Sequence, residues 1–175
     1  LHQTFLDALT GHVLTHSNVV TKPLEVDLSL PLPPRLRVYL YTLVVGGKNR
    51  PGEFKAVLRV PGQIVGEYAT FDHSGDRLSL LVAYSEDLDV FVLWDASLHE
   101  RFKHGGNVQV KADVVAKAAA DGWAGQLRPL RSGATEIVFA CRSRQLPEAI
   151  SKRNSWTGGL IGGIGGIGGI GGLIG

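Results

Sequence analysis

A chain of 175 residues, 44% hydrophobic and 19% charged, is the length of one domain and can bury a core, which excludes an intrinsically disordered segment. Its formal net charge of +2 is too small to imply a polyanionic partner by itself. The single cysteine, Cys141, excludes a disulfide framework and a cysteine-ligated zinc site, and is compatible with a reducing cytoplasm, the expected location.

The chain begins at Leu1 and contains no methionine, so it reads as a piece of a longer protein, and no signal peptide is evident. "TFLDALTG" (4–11) carries a weak helix signal. "LEVDLSL" (24–30) alternates apolar and polar residues at period two, which predicts a strand with one wet face. "PLPPR" (31–35) forbids helix, and "LRVYLYTLVV" (36–45), β-branched and aromatic, predicts a central strand. "GGKNRPG" (46–52) turns the chain, and "EFKAVLRV" (53–60) is expected to return as its hairpin partner. "DRLSLLVAY" (76–84) and "DVFVLWD" (89–95) predict two more strands joined by the acidic turn "SEDL".

Farther on, "KADVVAKAAADGWAG" (111–125) places Val114, Val115, Ala118 and Ala119 on one side of a helix, with Gly122 as a stop. "TEIVFACR" (135–142) predicts a strand in which Cys141 packs as a small hydrophobe. "QLPEAISKR" (145–153) predicts a short helix that tolerates Pro147 in its first turn. These elements define an α+β fold: a curved, mainly antiparallel sheet with two or three helices. Residues 1–153 are expected to form a single domain. Residues 154–175 form a Gly/Ile-rich low-complexity tail, whose glycine density argues against a membrane-spanning helix.

Charge is unevenly distributed. Between residues 22 and 59, Lys22, Arg35, Arg37, Lys48, Arg50, Lys55 and Arg59 outweigh Glu25, Asp27 and Glu53. Between 125 and 153, Arg128, Arg131, Arg142, Arg144, Lys152 and Arg153 outweigh Glu136 and Glu148, while the intervening stretch from Glu67 to Glu100 is acidic. A fold that joins the two basic segments would offer one face to phosphates, although charge runs also serve simply as solvated surface.

Two chemistries compete for the 46–60 hairpin. Glu53 and Lys55 have the Glu-x-Lys spacing of PD-(D/E)xK nucleases: on a strand they share a face, where a carboxylate can hold Mg²⁺ and an ammonium can orient water. Asp27 would then supply the second acid, making Asp27, Glu53 and Lys55 a catalytic set with Mg²⁺ as cofactor. Two polar residues on the wet face of a hairpin account for the same spacing. The alternation places Glu53, Lys55, Val57 and Arg59 on one face and Phe54, Ala56, Leu58 and Val60 on the other. A face bearing Lys55 and Arg59 beside the turn residues Lys48, Asn49 and Arg50 can contact phosphates and reach base edges, and needs no cofactor. The histidines, including His99 and His104 after Asp95, form no convincing metal site. No nucleophile elbow or P-loop is present.

Taken in order, "NRPGEFKAVLRVPGQ", "LLVAYSEDLDVFVLWD", "NVQVKADVVAKAAADGWAGQLRPLR" and "TEIVFACRSRQLPEAI" resemble a domain of bacterial restriction-modification proteins that occurs around methylases and restriction endonucleases. The resemblance covers about residues 36–150. It rests on the Gly-Glu-x-Lys hairpin, on "DVFVLWD" with the following His99, and on "NVQV" leading into an alanine-rich helix. Ala56 and Val57 depart from the bulkier or polar residues expected there. The resemblance implies recognition of double-stranded DNA, of a specific or modified site, with cleavage or methylation performed by a nuclease or methyltransferase domain or subunit. The DNA-contacting residues expected on this reading are Lys48, Asn49, Arg50, Lys55 and Arg59, with Arg128, Arg131, Arg142 and Arg144 as a second clamp. Trp94 or Trp123 could stack on an extruded base, core packing being the plainer role for both. A third reading is a domain whose acidic strand region docks a protein partner.

Overall fold

Strands form where β-branched and aromatic runs are bounded by glycine or proline turns. The computed structural model describes residues 1–48 and 50–156, so the expectations for Asn49 and for residues 157–175 lie outside the described residues. Among these, the elements run α1 (His2–Asp7), β1 (Val13–His16), β2 (Leu24–Leu28), β3 (Arg35–Thr42), β4 (Val44–Val45), β5 (Glu53–Val57) and β6 (Tyr68–Ala69). They continue with β7 (Leu78–Ser85), β8 (Val90–Trp94), β9 (Phe102–Lys103), β10 (Asn107–Lys111), α2 (Ala112–Asp121), β11 (Trp123–Pro129), β12 (Thr135–Arg142) and α3 (Leu146–Ser155). The fold is α+β, with mostly antiparallel open sheets.

A seven-stranded sheet in the order β1-β2-β3-β7-β8-β12-β11 carries both cores. Every pairing in it is antiparallel except β3 with β7. Parallel neighbours cannot be joined by a tight turn, so the chain between them must cross a face of the sheet. That crossover contains β4 and β5, which leave the main sheet and join β10 in a second sheet, β10-β5-β4. The candidate hairpin therefore sits on top of the main sheet. The run 36–45 does not pair with 53–60 along its length: it breaks at Leu43, whose N–H donates to Tyr84 in β7, and only Val44 and Val45 pair with β5. β7 occupies one edge of β3 from Leu36 to Thr42 and β2 the other as far as Val38, so 53–60 does not lie alongside β3 as a hairpin partner.

The pleat sorts the main sheet into two faces. Val38, Leu40, Leu80, Val82, Phe91, Leu93 and Phe139 pack against Phe5 and Leu6 of α1, Leu9 just after it, and Leu146, Ala149 and Ile150 of α3. On the opposite face, Leu81, Val92, Trp94, Val138 and Ala140 pack against Val115 and Ala118 of α2 and against Ala56, Val108 and Val110 of the second sheet. Each fully buried Leu, Val or Phe side chain contributes about 1.5–3 kcal/mol. The small Ala56 is fully buried where the second sheet meets this core. Cys141 is buried as well, and burial pushes its thiol pKa well above the ordinary value, so it packs and does not ionise.

Helix α2 starts directly after β10 and stops at Gly122, whose φ of 90° is the left-handed conformation that glycine adopts without a Cβ clash. The chain then enters β11, whose first three residues lie within the expected helical segment 111–125, past its glycine stop. β11 contains Gly125 and Pro129 and lies at the sheet edge, where proline costs no ladder hydrogen bond. Its signal was weak because seven cross-strand pairs with β12, more than its own residues, make it a strand.

Candidate nucleic-acid interface

The alternation expected for 53–60 holds. Ala56 and Leu58 are buried, and Phe54 and Val60 pack against the same core, while Glu53, Lys55 and Val57 are half-buried and Arg59 is exposed. β10 lies antiparallel beside β5, with Asn107 opposite Val57, Gln109 opposite Lys55 and Lys111 opposite Glu53. Directly opposed residues share a face. The outer surface of the second sheet therefore carries Glu53, Lys55, Asn107, Gln109 and Lys111. "NVQVK" announces the period-two alternation, but only the pairing of β10 with β5 places Asn107 and Gln109 beside Lys55.

The turn before β5 closes over this surface. Gly46 N–H donates to the Glu53 carbonyl at 2.6 Å and Arg50 N–H to the Gly47 carbonyl at 2.8 Å. A Cβ on Gly46 would lie 2.6 Å from the Arg50 carbonyl oxygen and 2.7 Å from that of Glu53, so only glycine permits the approach. Gly52 accepts from the N–H of Ala112, tying the turn to the start of α2. The result is a groove of about 300 Å³ lined by Gly46, Gly47, Lys48, Arg50, Glu53, Lys55, Asn107 and Gln109.

A hydrogen-bond network runs from the core into this groove. Glu136 is fully buried; its Oε1 accepts from the Asp95 N–H at 3.0 Å and from His99 Nε2 at 2.8 Å. Glu136 Oε2 lies 3.6 Å from Arg128 Nη1, across the β11–β12 pair. Arg128 in turn donates to the carbonyl of Gln109 at 3.4 Å and to its Oε1 at 3.4 Å. Arg50 Nη1 donates to the same Oε1 at 2.7 Å and approaches Glu53 Oε2 at 3.5 Å. Gln109 Nε2 donates to Asn107 Oδ1 at 2.5 Å, and Trp94 Nε1 to the Gln109 carbonyl at 3.0 Å. The segments on which the resemblance rested (the hairpin, "DVFVLWD" with His99, and "NVQV") thus meet in one network.

The two basic segments are joined only in part. Lys48, Arg50, Lys55 and Arg128 converge on the groove, and Arg131 is exposed in the turn that follows β11. Arg59 points to a different groove, shared with Lys22. Arg142 and Arg144 lie at the far end of β12 from Glu136, about 20 Å along the strand, with Arg142 3.9 Å from Asp89. Arg37 and Arg153, which had swelled the basic count, are interior: Arg37 pairs with Glu25 at 3.0 Å and Asp72 at 2.8 Å, and Arg153 with Asp95 at 3.2 Å. Burial pulls the Arg153 pKa below its ordinary value, against the opposing pull of Asp95 and Glu136.

The catalytic set Asp27, Glu53 and Lys55 is not assembled. Asp27 lies opposite Arg35, the first residue of β3, and binds Arg77 at 2.8 Å. Glu53 bonds to Gly46, beyond the other end of that strand, roughly 25 Å away along the chain. Among the described residues no group of three or more His, Cys, Asp or Glu is placed to hold a metal ion. Glu53 and Lys55 share the groove, and Asp27 is not among its lining residues. Of the tryptophans, Trp94 is fully buried and Trp123 is half-buried against Phe139, with Lys152 Nζ 5.2 Å from its ring.

The protein is an α+β domain of open, mostly antiparallel sheets, with a groove rich in arginine, lysine and carboxamide on its smaller sheet. The family model described as methylase-associated X1 matches residues 34–150, from just before β3 through the first half of α3, and the chain belongs to that family. The match contains every residue that lines the 300 Å³ groove. No curated protein and no solved structure compared with the chain matches it. Among the described residues, no helix is long and apolar enough to cross a membrane.

Proposed function

We propose that this domain binds double-stranded DNA as the recognition module of a restriction-modification system. It would act in the cytoplasm beside a methyltransferase or nuclease domain or subunit that performs the chemistry. Family membership supports the association with a methylase. The observation that carries the DNA reading is the hydrogen-bond inventory of the groove. Gln109 Oε1 is taken by Arg50 and Arg128, and Gln109 Nε2 by Asn107. What remains to offer a ligand is mostly donors: the rest of the Arg50 guanidinium, the Asn107 amide and the ammonium groups of Lys48 and Lys55. Such a set matches phosphate oxygens and the two acceptors, N7 and O6, on the major-groove edge of guanine. Arg50 is the base reader in this scheme, with Arg128 and Gln109 fixing its position, and Lys48, Lys55 and Arg131 neutralise phosphates.

The test is an anisotropy titration of the protein against duplexes with and without cytosine methylation, at two salt concentrations, with and without Mg²⁺. Salt-sensitive binding that prefers one duplex and leaves it intact is the expected result. Mg²⁺-dependent cleavage that disappears in Glu53→Ala would replace the reading with a nuclease. No binding at low salt would end it.

A further inference from the structure

A second groove lies apart from the one on the smaller sheet. It encloses about 630 Å³ and is lined by Lys22, Leu40, Tyr41, Thr42, Arg59 and Val60, among others. Its floor is an open strand edge. β2 pairs with β3 only as far as Leu24 opposite Val38, and among the described residues no strand continues beside β3 on that side. Backbone groups of alternate strand residues point to opposite edges. Leu43 donates to β7 while Pro34 accepts from β2, so Leu40 and Thr42 present their N–H and C=O groups to the β2 side, into the groove. Tyr41 holds the far wall in place, its hydroxyl donating to the Arg59 carbonyl at 2.8 Å. Val44, Val57, Val60 and Pro61 supply apolar lining. Lys22 and Arg59 are exposed at the rim, and neither makes a salt bridge within the described residues.

We propose that this groove takes an extended, acidic peptide segment of a protein partner, added as a strand to the free edge of β3. The Leu40 and Thr42 backbone groups supply the ladder, the valine and proline wall takes the apolar side chains, and Lys22 and Arg59 pair with carboxylates flanking them. An open main-chain ladder separates this occupant from DNA, which carries no backbone N–H and C=O groups to complete it. The site is independent of the DNA groove, which is built from Arg50, Gln109 and Arg128.

A phage-displayed library of random peptides of about 12 residues, selected on the whole protein, tests the proposal. Enriched peptides should alternate apolar residues with Asp or Glu. Their addition to ¹⁵N-labelled protein should shift the amide signals of Leu40 and Thr42. The double variant Lys22→Glu/Arg59→Glu, with its fold checked by circular dichroism, should bind them at least about tenfold more weakly while keeping its duplex affinity. The proposal is overturned if nothing is enriched, if enriched peptides lack acids or shift signals elsewhere, or if the double variant binds them equally well. Loss of duplex binding with unchanged peptide binding would assign Lys22 and Arg59 to the DNA surface instead. Concentration-dependent dimerisation abolished by the double variant would make a second copy of the chain the occupant.

Discussion

Arg50 and Arg128, from opposite ends of the family-matched segment, donate to one oxygen, Oε1 of Gln109, at 2.7 and 3.4 Å. Two guanidinium groups on one acceptor repel each other. Glu53 near Arg50 and the buried Glu136 near Arg128 offset that repulsion. Gln109→Leu keeps the side-chain volume and removes the shared acceptor, so both arginines lose their register. Duplex affinity should fall about tenfold, with little change in melting temperature, as read by anisotropy and thermal unfolding.

Arg50 and Lys55 should respond differently to substitution. Arg50→Ala removes the proposed base reader and should cost about 1–3 kcal/mol while relaxing discrimination among duplexes. Lys55→Ala should weaken all duplexes evenly and reduce the salt slope by about one. Unchanged discrimination in Arg50→Ala, with all duplexes weakened evenly, would show that Arg50 contacts phosphate only.

Gly46 and Gly47 are adjacent but not equivalent. A Cβ at Gly46 meets backbone oxygens at 2.6 and 2.7 Å, whereas one at Gly47 meets nothing within 4 Å. Gly46→Ala should displace the turn carrying Lys48 and Arg50 and weaken duplex binding. Gly47→Ala should leave binding close to that of the unaltered protein. Titrating both variants against the same duplex checks the contrast.

The Asp95–Arg153 pair joins α3 to the main sheet inside the protein, with both side chains 2% exposed and 3.2 Å apart. Arg153 also donates to the Ile137 carbonyl at 2.5 Å and to that of Trp156. Arg153→Met leaves the Asp95 carboxylate buried without this guanidinium, at a cost of about 3–5 kcal/mol. Urea unfolding should show the midpoint falling with an unchanged slope.

His2 brings a pH dependence. Its ring is buried and its Nδ1 lies 2.6 Å from the Val19 carbonyl, and burial lowers its pKa below the ordinary histidine value. Below that ordinary value, about 6.5, the unfolded chain binds a proton that the folded chain resists. His2 therefore favours folding fully above that pH, and the contribution declines as pH falls toward the lowered value. His2→Gln should flatten the stability profile between about pH 7 and 5, measured by denaturant midpoints.

Much of the fold was legible from local pattern. Period-two alternation in "EFKAVLRV" separates Lys55 and Arg59 from Ala56 and Leu58, because strand side chains alternate whatever the strand pairs with. Gly122 announces the end of α2 for a similarly local reason, since glycine enters the left-handed region at little cost. The burial of Cys141 and Trp94 followed from the apolar runs that contain them.

Pairing is what the linear chain concealed. "LRVYLYTLVV" is a good strand under any topology, but its division at Leu43 arises because β2 and β7 both occupy β3 and the crossover lifts β4 into another sheet. The charge of Arg37 and Arg153 was plain, while their burial beside Glu25, Asp72 and Asp95 depends on strands and a helix distant in sequence. Alternation and turn chemistry are properties of a few consecutive residues, so the sequence by itself determined the α+β class, the polar face of β5 and the basic turn before it. Which charges share a surface depends on long-range register. Only the tertiary structure decided that Arg128 joins Arg50 on Gln109, that Arg142 and Arg144 stay about 20 Å away, and that Asp27 never meets Glu53.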